Sequence, residues 1–255
     1  VCPVGALTSR PYAFVARPWE LRKTNSVDVM DALGSNVRVD ARGREVLRIL
    51  PRVHEGINEE WLADKSRYAI DGLTRRRLDR PFLRGADGKL KEATWAEAFG
   101  AIAEKVAALQ PNEMAALAGD QCDAESMFAL KDLMGRLGVA SIDCRQDGAP
   151  LGEGAPAGDR FNSGIAGLEE ADAILLVGTD PRREGPLVNA RIRKRFLRGG
   201  LKVGMIGPRP DLTYPYEYLG AGADTLKGLA AGEGGFAEAM RAAKKPAIVV
   251  GMGAL

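Results

Sequence analysis

Cysteine is nearly absent from this chain. Three occur in 255 residues, at positions 2, 122 and 144, with no C-x-x-C pair among them. An odd, scattered set excludes a disulfide framework and suits a reducing compartment. Cys122 and Cys144 stand outside any C-x-x-C spacing and read as small buried hydrophobes. Histidine occurs once, and His54 has no serine and aspartate that place themselves as triad partners, so beside Glu55 and Gly56 it reads as a loop residue. There is no G-x-G-x-x-G and no Walker sequence. No apolar run is long enough to span a bilayer, and no basic-then-apolar leader opens the chain. Charge of one sign is also missing: 36 basic against 34 acidic residues leave +2, so no global basic field points to nucleic acid. Two basic clusters stand out locally, Arg75-Arg76-Arg77 with Arg80, and Arg191, Arg193, Lys194, Arg195 and Arg198. Few aromatic rings interleave with them, so they read as solvated faces or protein interfaces rather than as base-stacking platforms.

What is present is a globular pattern that changes once along the chain. Between residues 11 and about 80, Val37 and Val39 alternate with Asn36 and Arg38, Arg42-Gly43 supplies a turn, and Val46 to Leu50 returns. Trp19 to Met30 adds a third strand, giving a small antiparallel sheet. Asn58 is placed to cap a short helix that begins with the run Asn58–Leu62. From about residue 81, helix and strand alternate. Thr94-Trp95-Ala96-Glu97 fits a capping box, and Trp95, Phe99, Ile102, Val106 and Leu109 form a helical stripe behind it. Met114 to Ala118 reads as a strand. Asp123 caps the next helix, with Met127, Leu130, Met134 and Leu137 as its inner face and Gly138 as its stop. Val139 to Asp143 is a strand, and residues 148–167 form a glycine-rich loop. Ala173 to Val177 is the clearest buried strand; it runs through Gly178-Thr179-Asp180-Pro181 into a helix striped by Val188, Ile192 and Phe196. Leu201 to Ile206 follows as the next strand, and Pro246 to Val250 reads as a buried one. Such alternation implies a parallel sheet covered on both faces.

Two features carry chemistry. Gly178-Thr179-Asp180-Pro181 lies where ligands bind in open α/β sheets, beyond the carboxyl end of a strand, although every parallel sheet needs such turns. Cys2-Pro3 has the form in which ferredoxin-type chains supply the last thiolate of an iron–sulfur run. A cluster held by four thiolates needs three more, and the next cysteine is Cys122. Together with the abrupt close at Gly251-Met252-Gly253 after a parallel strand, this reads as a chain cut at both ends.

Several stretches together resemble one family, the large iron–sulfur subunit of NADH:quinone oxidoreductase, respiratory complex I. They are Cys2-Pro3-Val4-Gly5-Ala6-Leu7-Thr8-Ser9, Arg17-Pro18-Trp19-Glu20-Leu21, Asp31-Ala32-Leu33-Gly34-Ser35-Asn36, Ile49-Leu50-Pro51-Arg52, and Ile57-Asn58-Glu59-Glu60-Trp61-Leu62-Ala63-Asp64-Lys65. Further on come Arg160-Phe161-Asn162-Ser163, Leu175-Leu176-Val177-Gly178-Thr179-Asp180-Pro181-Arg182 and Asn189-Ala190-Arg191-Ile192-Arg193-Lys194. The likeness runs over nearly the whole sequence.

The resemblance implies an α/β fold, a partial molybdopterin-oxidoreductase-like parallel sheet with flanking helices preceded by a small, mainly antiparallel β region. It implies three parts: residues 1–10 as the tail of a ferredoxin-like iron–sulfur module, 11–80 as a β-rich region like the 4Fe–4S domain of molybdenum and tungsten enzymes without its cysteines, and 81–255 as an incomplete α/β domain. By the same match Cys2 is the fourth ligand of a [4Fe–4S] cluster in the intact subunit, whose other ligands lie upstream. No other metal, catalytic or cofactor-binding residue is expected. Some bacterial relatives hold an extra cluster through cysteines early in the first region; here none lies between Pro3 and Gln121, so that cluster is expected to be missing. Asp180 stands where the strand-turn motif is expected to have Asn, which adds a charge against an anionic pterin. No molybdopterin is expected, and no cluster or NADH oxidation in the 255 residues alone. The implied role is electron relay from NADH and flavin toward quinone, with the α/β region as a platform against other peripheral-arm subunits, including the NADH/flavin-binding one. The implied place is peripheral, on the cytoplasmic face of a bacterial inner membrane or the matrix side of a mitochondrial one, without insertion. A molybdopterin-dependent oxidoreductase and a purely structural docking module remain as the other two readings.

Overall fold

The period-two stretch around Val37 is the middle strand of a three-stranded antiparallel sheet, β1 (Arg22–Val27), β2 (Asn36–Arg42) and β3 (Glu45–Pro51) in that order. A computed structural model describes residues 5–119, 121–144 and 160–254. Gly43, at φ +61°, supplies the left-handed residue that the β2–β3 turn needs. A register shift between Asp40 and Ala41 then sets Asp40 opposite Arg48. The expected helix at 58–62 is absent; α1 (Asp64–Tyr68) starts later. The side chain of Asn58 does other work. It is buried, accepts a hydrogen bond from the Asn36 N–H at 3.0 Å, and donates to the carbonyls of Arg52, Glu59 and Trp61. An amide that ties four backbone groups together is not free to cap a helix.

Contacts divide the chain into two compact units, residues 1–71 with 150–255, and residues 72–149. In the second, β4 (Phe82–Arg84) and β5 (Leu90–Glu92) form a hairpin. Helix α2 (Trp95–Ala108) opens on the expected capping box, with Thr94 and Glu97 bonded to each other's backbone. Strand β6 (Ala116–Leu117), helix α3 (Ala124–Arg136), capped by Asp123, and β7 (Ile142–Asp143) complete it as a short parallel pair. The α2 stripe is not an inner face: Trp95, Phe99 and Ile102 are each more than half exposed. A ladder of two residue pairs is too small to cover it. Cys122 and Cys144 are likewise exposed, against expectation, for the same want of a core around them.

The larger sheet lies in the other unit. Helix α4 (Gly164–Gly167) ends the expected loop, most of which lies outside the described residues. Then come β8 (Ala173–Val177), α5 (Pro181–Glu184), α6 (Pro186–Leu197), β9 (Lys202–Ile206), β10 (Glu217–Gly220), α7 (Ala223–Ala231), α8 (Gly235–Ala242) and β11 (Pro246–Val250). The four strands are parallel in the order β10-β9-β8-β11. One face packs Ile174, Leu176, Val203 and Met205 on Leu168, Ile192 and Leu212; the other packs Leu175, Val177 and Ile206 on Phe236. Gly204 makes room for that ring, since a Cβ there would lie 2.6 Å from it. β8 is buried throughout, as expected. β11 is an edge strand and only half covered, with Ile248 and Val250 outward. All three tryptophans, Trp19, Trp61 and Trp95, are exposed.

Candidate functional site

Cys2 lies outside the described residues. The backbone beyond it turns at Gly5 (φ +73°), and Gly5 and Leu7 line a cleft of about 240 Å³. Its wall is mostly apolar, made by Tyr12, Leu47, Ile49 and Ile70. Over this sheet Arg48 stacks on the Tyr12 ring at 4.3 Å, while its Nε bonds Asp40. Asp40 is a buried carboxylate: Arg38 grips it with Nε and Nη2 at 2.8 and 3.0 Å, and Arg48 with Nε at 2.8 Å. Burial alone would raise its pKa, but the two guanidinium groups outweigh this and hold the carboxyl below its ordinary value.

The turn after β8 has the expected position, and its polar groups are already engaged. Glu184 accepts from Thr179 Oγ1 at 2.7 Å and from the Asp180 N–H at 2.8 Å. Asp180 caps α5 through the Arg182 N–H. Residues 251–254 close on Gly178: the Gly253 N–H bonds the Gly178 carbonyl, and a Cβ on Gly178 would lie 2.5 Å from the Ala254 nitrogen. Donors spent on Glu184, a carboxylate at Asp180 and a closed backbone do not fit an anionic pterin at this turn. Glu184→Ala is expected to cost about 1–2 kcal/mol in urea unfolding, because buried Thr179 loses its acceptor.

The basic helix reads from sequence as a docking patch, and Arg191 does not serve that end. It is 5% exposed and bonds Glu169 Oε1 and the carbonyls of Glu55 and Ile57, with Glu59 Oε1 at 3.4 Å. Lys194 and Arg198 join the same cluster through Glu169 and Glu59. Burial would raise the Glu169 pKa, but its partners Arg191 and Lys194 lower it. Arg193 is exposed. His54 sits in a loop, as expected, its backbone paired with Glu59. Sequence reasoning alone misses Asp40, Glu184, the role of Asn58 and the buried state of Arg191. Among the described residues no group of three or more His, Cys, Asp or Glu side chains is placed to hold a metal ion, and no helix is long and apolar enough to cross a membrane.

Comparison with known proteins agrees with this architecture. Residues 77–255 match the family model described as molybdopterin oxidoreductase, and residues 21–71 the one described as NADH-ubiquinone oxidoreductase NDSU1/NuoG-like, 4Fe-4S domain. Among curated proteins, the mitochondrial NADH dehydrogenase [ubiquinone] iron-sulfur protein 1 of Solanum tuberosum is 49% identical over 253 residues, 99% of this chain and 34% of that protein. The mitochondrial NADH-ubiquinone oxidoreductase 78 kDa subunit of Neurospora crassa is 49% identical over 259 residues, 99% of this chain and 34% of its own length. A subunit of the NADH-quinone oxidoreductase of Rickettsia bellii is 48% identical over 253 residues, 99% and 37%. The chain thus spans about a third of the length of these relatives. Acetylene hydratase from Pelobacter acetylenicus shares the fold, with a TM-score of 0.51 at 15% identity over 74% of this chain and 28% of that one. The chain belongs to the molybdopterin oxidoreductase family, in the lineage of the NDSU1/NuoG-like iron–sulfur subunits of NADH:quinone oxidoreductase.

Proposed function

We propose that this chain is part of the electron-transfer subunit of an NADH:quinone oxidoreductase, and that Cys2 gives one thiolate to a [4Fe–4S] cluster relaying electrons from the NADH/flavin side toward quinone. The observation that carries this is Cys2-Pro3-Val4-Gly5-Ala6 in a chain about half identical to proteins named as iron–sulfur subunits of such enzymes. When bound, the cluster supplies one-electron transfer, and its potential is set by burial, charge and hydrogen bonds to the sulfurs. The three remaining ligands come from outside the 255 residues. This chain's part is to bring the Cys2 thiolate, to offer the Gly5 and Ala6 N–H groups toward the sulfurs, and to exclude water with the wall of Tyr12, Leu47, Ile49 and Ile70. Residues 1–10 then close an iron–sulfur module, 11–80 form a cluster-free β region, and 81–255 a platform without chemistry of its own.

In this reading the partners are the other peripheral-arm subunits, including the NADH/flavin-binding one, and the complex lies peripherally on the cytoplasmic or matrix face of its membrane. The test is low-temperature EPR of the reduced full-length subunit with and without Cys2→Ala. Selective loss of one [4Fe–4S] signal is expected. An unchanged spectrum would remove Cys2 from the electron path.

A further inference from the structure

Residues 21–71 match a 4Fe–4S domain, yet they contain no cysteine and a single histidine. The donor set therefore does not fit the cluster that the family description implies. At the same place three oxygen side chains turn inward. Asp28, Asp31 and Ser35 are separated by two and then three residues, the spacing of successive thiolates in a ferredoxin-type run. They lie on the β1–β2 loop, which closes through the Asp28 N–H to the Ser35 carbonyl at 2.8 Å and turns at Gly34 with φ +66°. Asp28 and Ser35 are buried, and the Asp31 side chain has no exposed surface.

Two of these groups are left over. Asp31 Oδ2 and Ser35 Oγ are buried without a hydrogen bond; the nearest cation to Asp31 Oδ2 is Lys65 Nζ, at 4.0 Å. Buried polar atoms are almost always paired, so two orphans on one short loop call for a cause. Asp28, by contrast, is bridged to helix α1: Ser66 Oγ donates to its Oδ2 at 2.5 Å, and Oδ1 takes the Met30 N–H. Ala63, also buried, stands at the start of the same helix.

We propose that the 28–35 loop and the start of α1 are a cluster cradle converted to oxygen, in which the Ser66–Asp28 hydrogen bond makes the link that a metal cluster would make. Residues 21–71 then fold without metal and take no part in electron transfer. Asp31 Oδ2 and Ser35 Oγ are the cradle oxygens to which no replacement partner has come.

The test uses all 255 residues in a Cys2→Ala, Cys122→Ser, Cys144→Ser background, so that its outcome is independent of the role given to Cys2. After anaerobic treatment with ferrous iron and sulfide, this background is expected to hold no iron and to keep its Tm in EDTA. Adding Asp28→Cys, Asp31→Cys and Ser35→Cys, with Ala63→Cys in one version and Ser66→Cys in another, is expected to yield about four irons per molecule in at least one version. Stoichiometric iron in the background, or two folded cysteine versions holding no more iron than it does, would overturn the proposal. Should the cysteine versions not fold, Ser66→Ala and Asp28→Ala decide: a Tm lower by about 2–4 °C is expected for each, and an unchanged Tm would show that the bridge holds nothing.

Discussion

Asp40→Ala is expected to lower the unfolding free energy by about 3–5 kcal/mol, read from urea titrations at neutral pH. The side chain is fully buried, and the change leaves two guanidinium groups facing each other across β2 and β3 without their shared anion. Arg38 and Arg48 retain some access to water, so the lower part of the range is expected. Asp40→Asn keeps the shape and loses the charge, and should cost less. The acid dependence has a definite sign. The folded pKa lies below the value of about 3.9 in an unfolded chain, so the stabilisation is fully present above that value and is lost as pH falls through the folded one. The gap between wild type and Asp40→Asn should therefore narrow in acid. A constant gap down to strongly acidic pH would mean that the pair contributes through packing alone.

Arg191→Ala is expected to cost about 3 kcal/mol and to expose the 53–61 segment to protease. Its guanidinium holds the Glu55 and Ile57 carbonyls against α6 while neutralising Glu169, so its loss strands two acceptors and a mostly buried carboxylate. Lys194 and Arg198 remain on Glu169, which keeps the expected loss near the low end for a broken buried pair. Arg193→Ala, on the same helix and exposed, should stay within about 0.5 kcal/mol. Equal effects at both positions would show that the cluster adds nothing to the fold.

Much of this architecture is legible in the sequence. β8 and its turn, the caps at Thr94 and Asp123, and the hairpin around Gly43 follow from local rules: an unbroken apolar run, a polar side chain that accepts the backbone N–H three residues on, a residue free to adopt positive φ. The polar sites follow from register and tertiary contact, and there local rules fail. Counting back from the Gly43 turn puts Asp40 opposite Leu47. The register shift between Asp40 and Ala41 sets it opposite Arg48 instead, and no residue type marks that shift. In the sequence Arg191 looks like one more cation in a basic helix because its partners, Glu55, Ile57, Glu59 and Glu169, lie from 22 to 136 residues away. The α2 stripe is apolar as expected but not covered, since a period shows which residues share a face and not whether anything meets it.

The exposed placement of Trp19, Trp61 and Trp95 decides how this protein can be followed by light. Indole rings already in water emit at long wavelength whether the polypeptide is folded or not, so intrinsic tryptophan fluorescence will report unfolding poorly and circular dichroism must carry those titrations. The same rings become useful once a neighbouring molecule is added. A blue shift on mixing, without a change in secondary structure, would report the covering of a surface rather than the making of a fold.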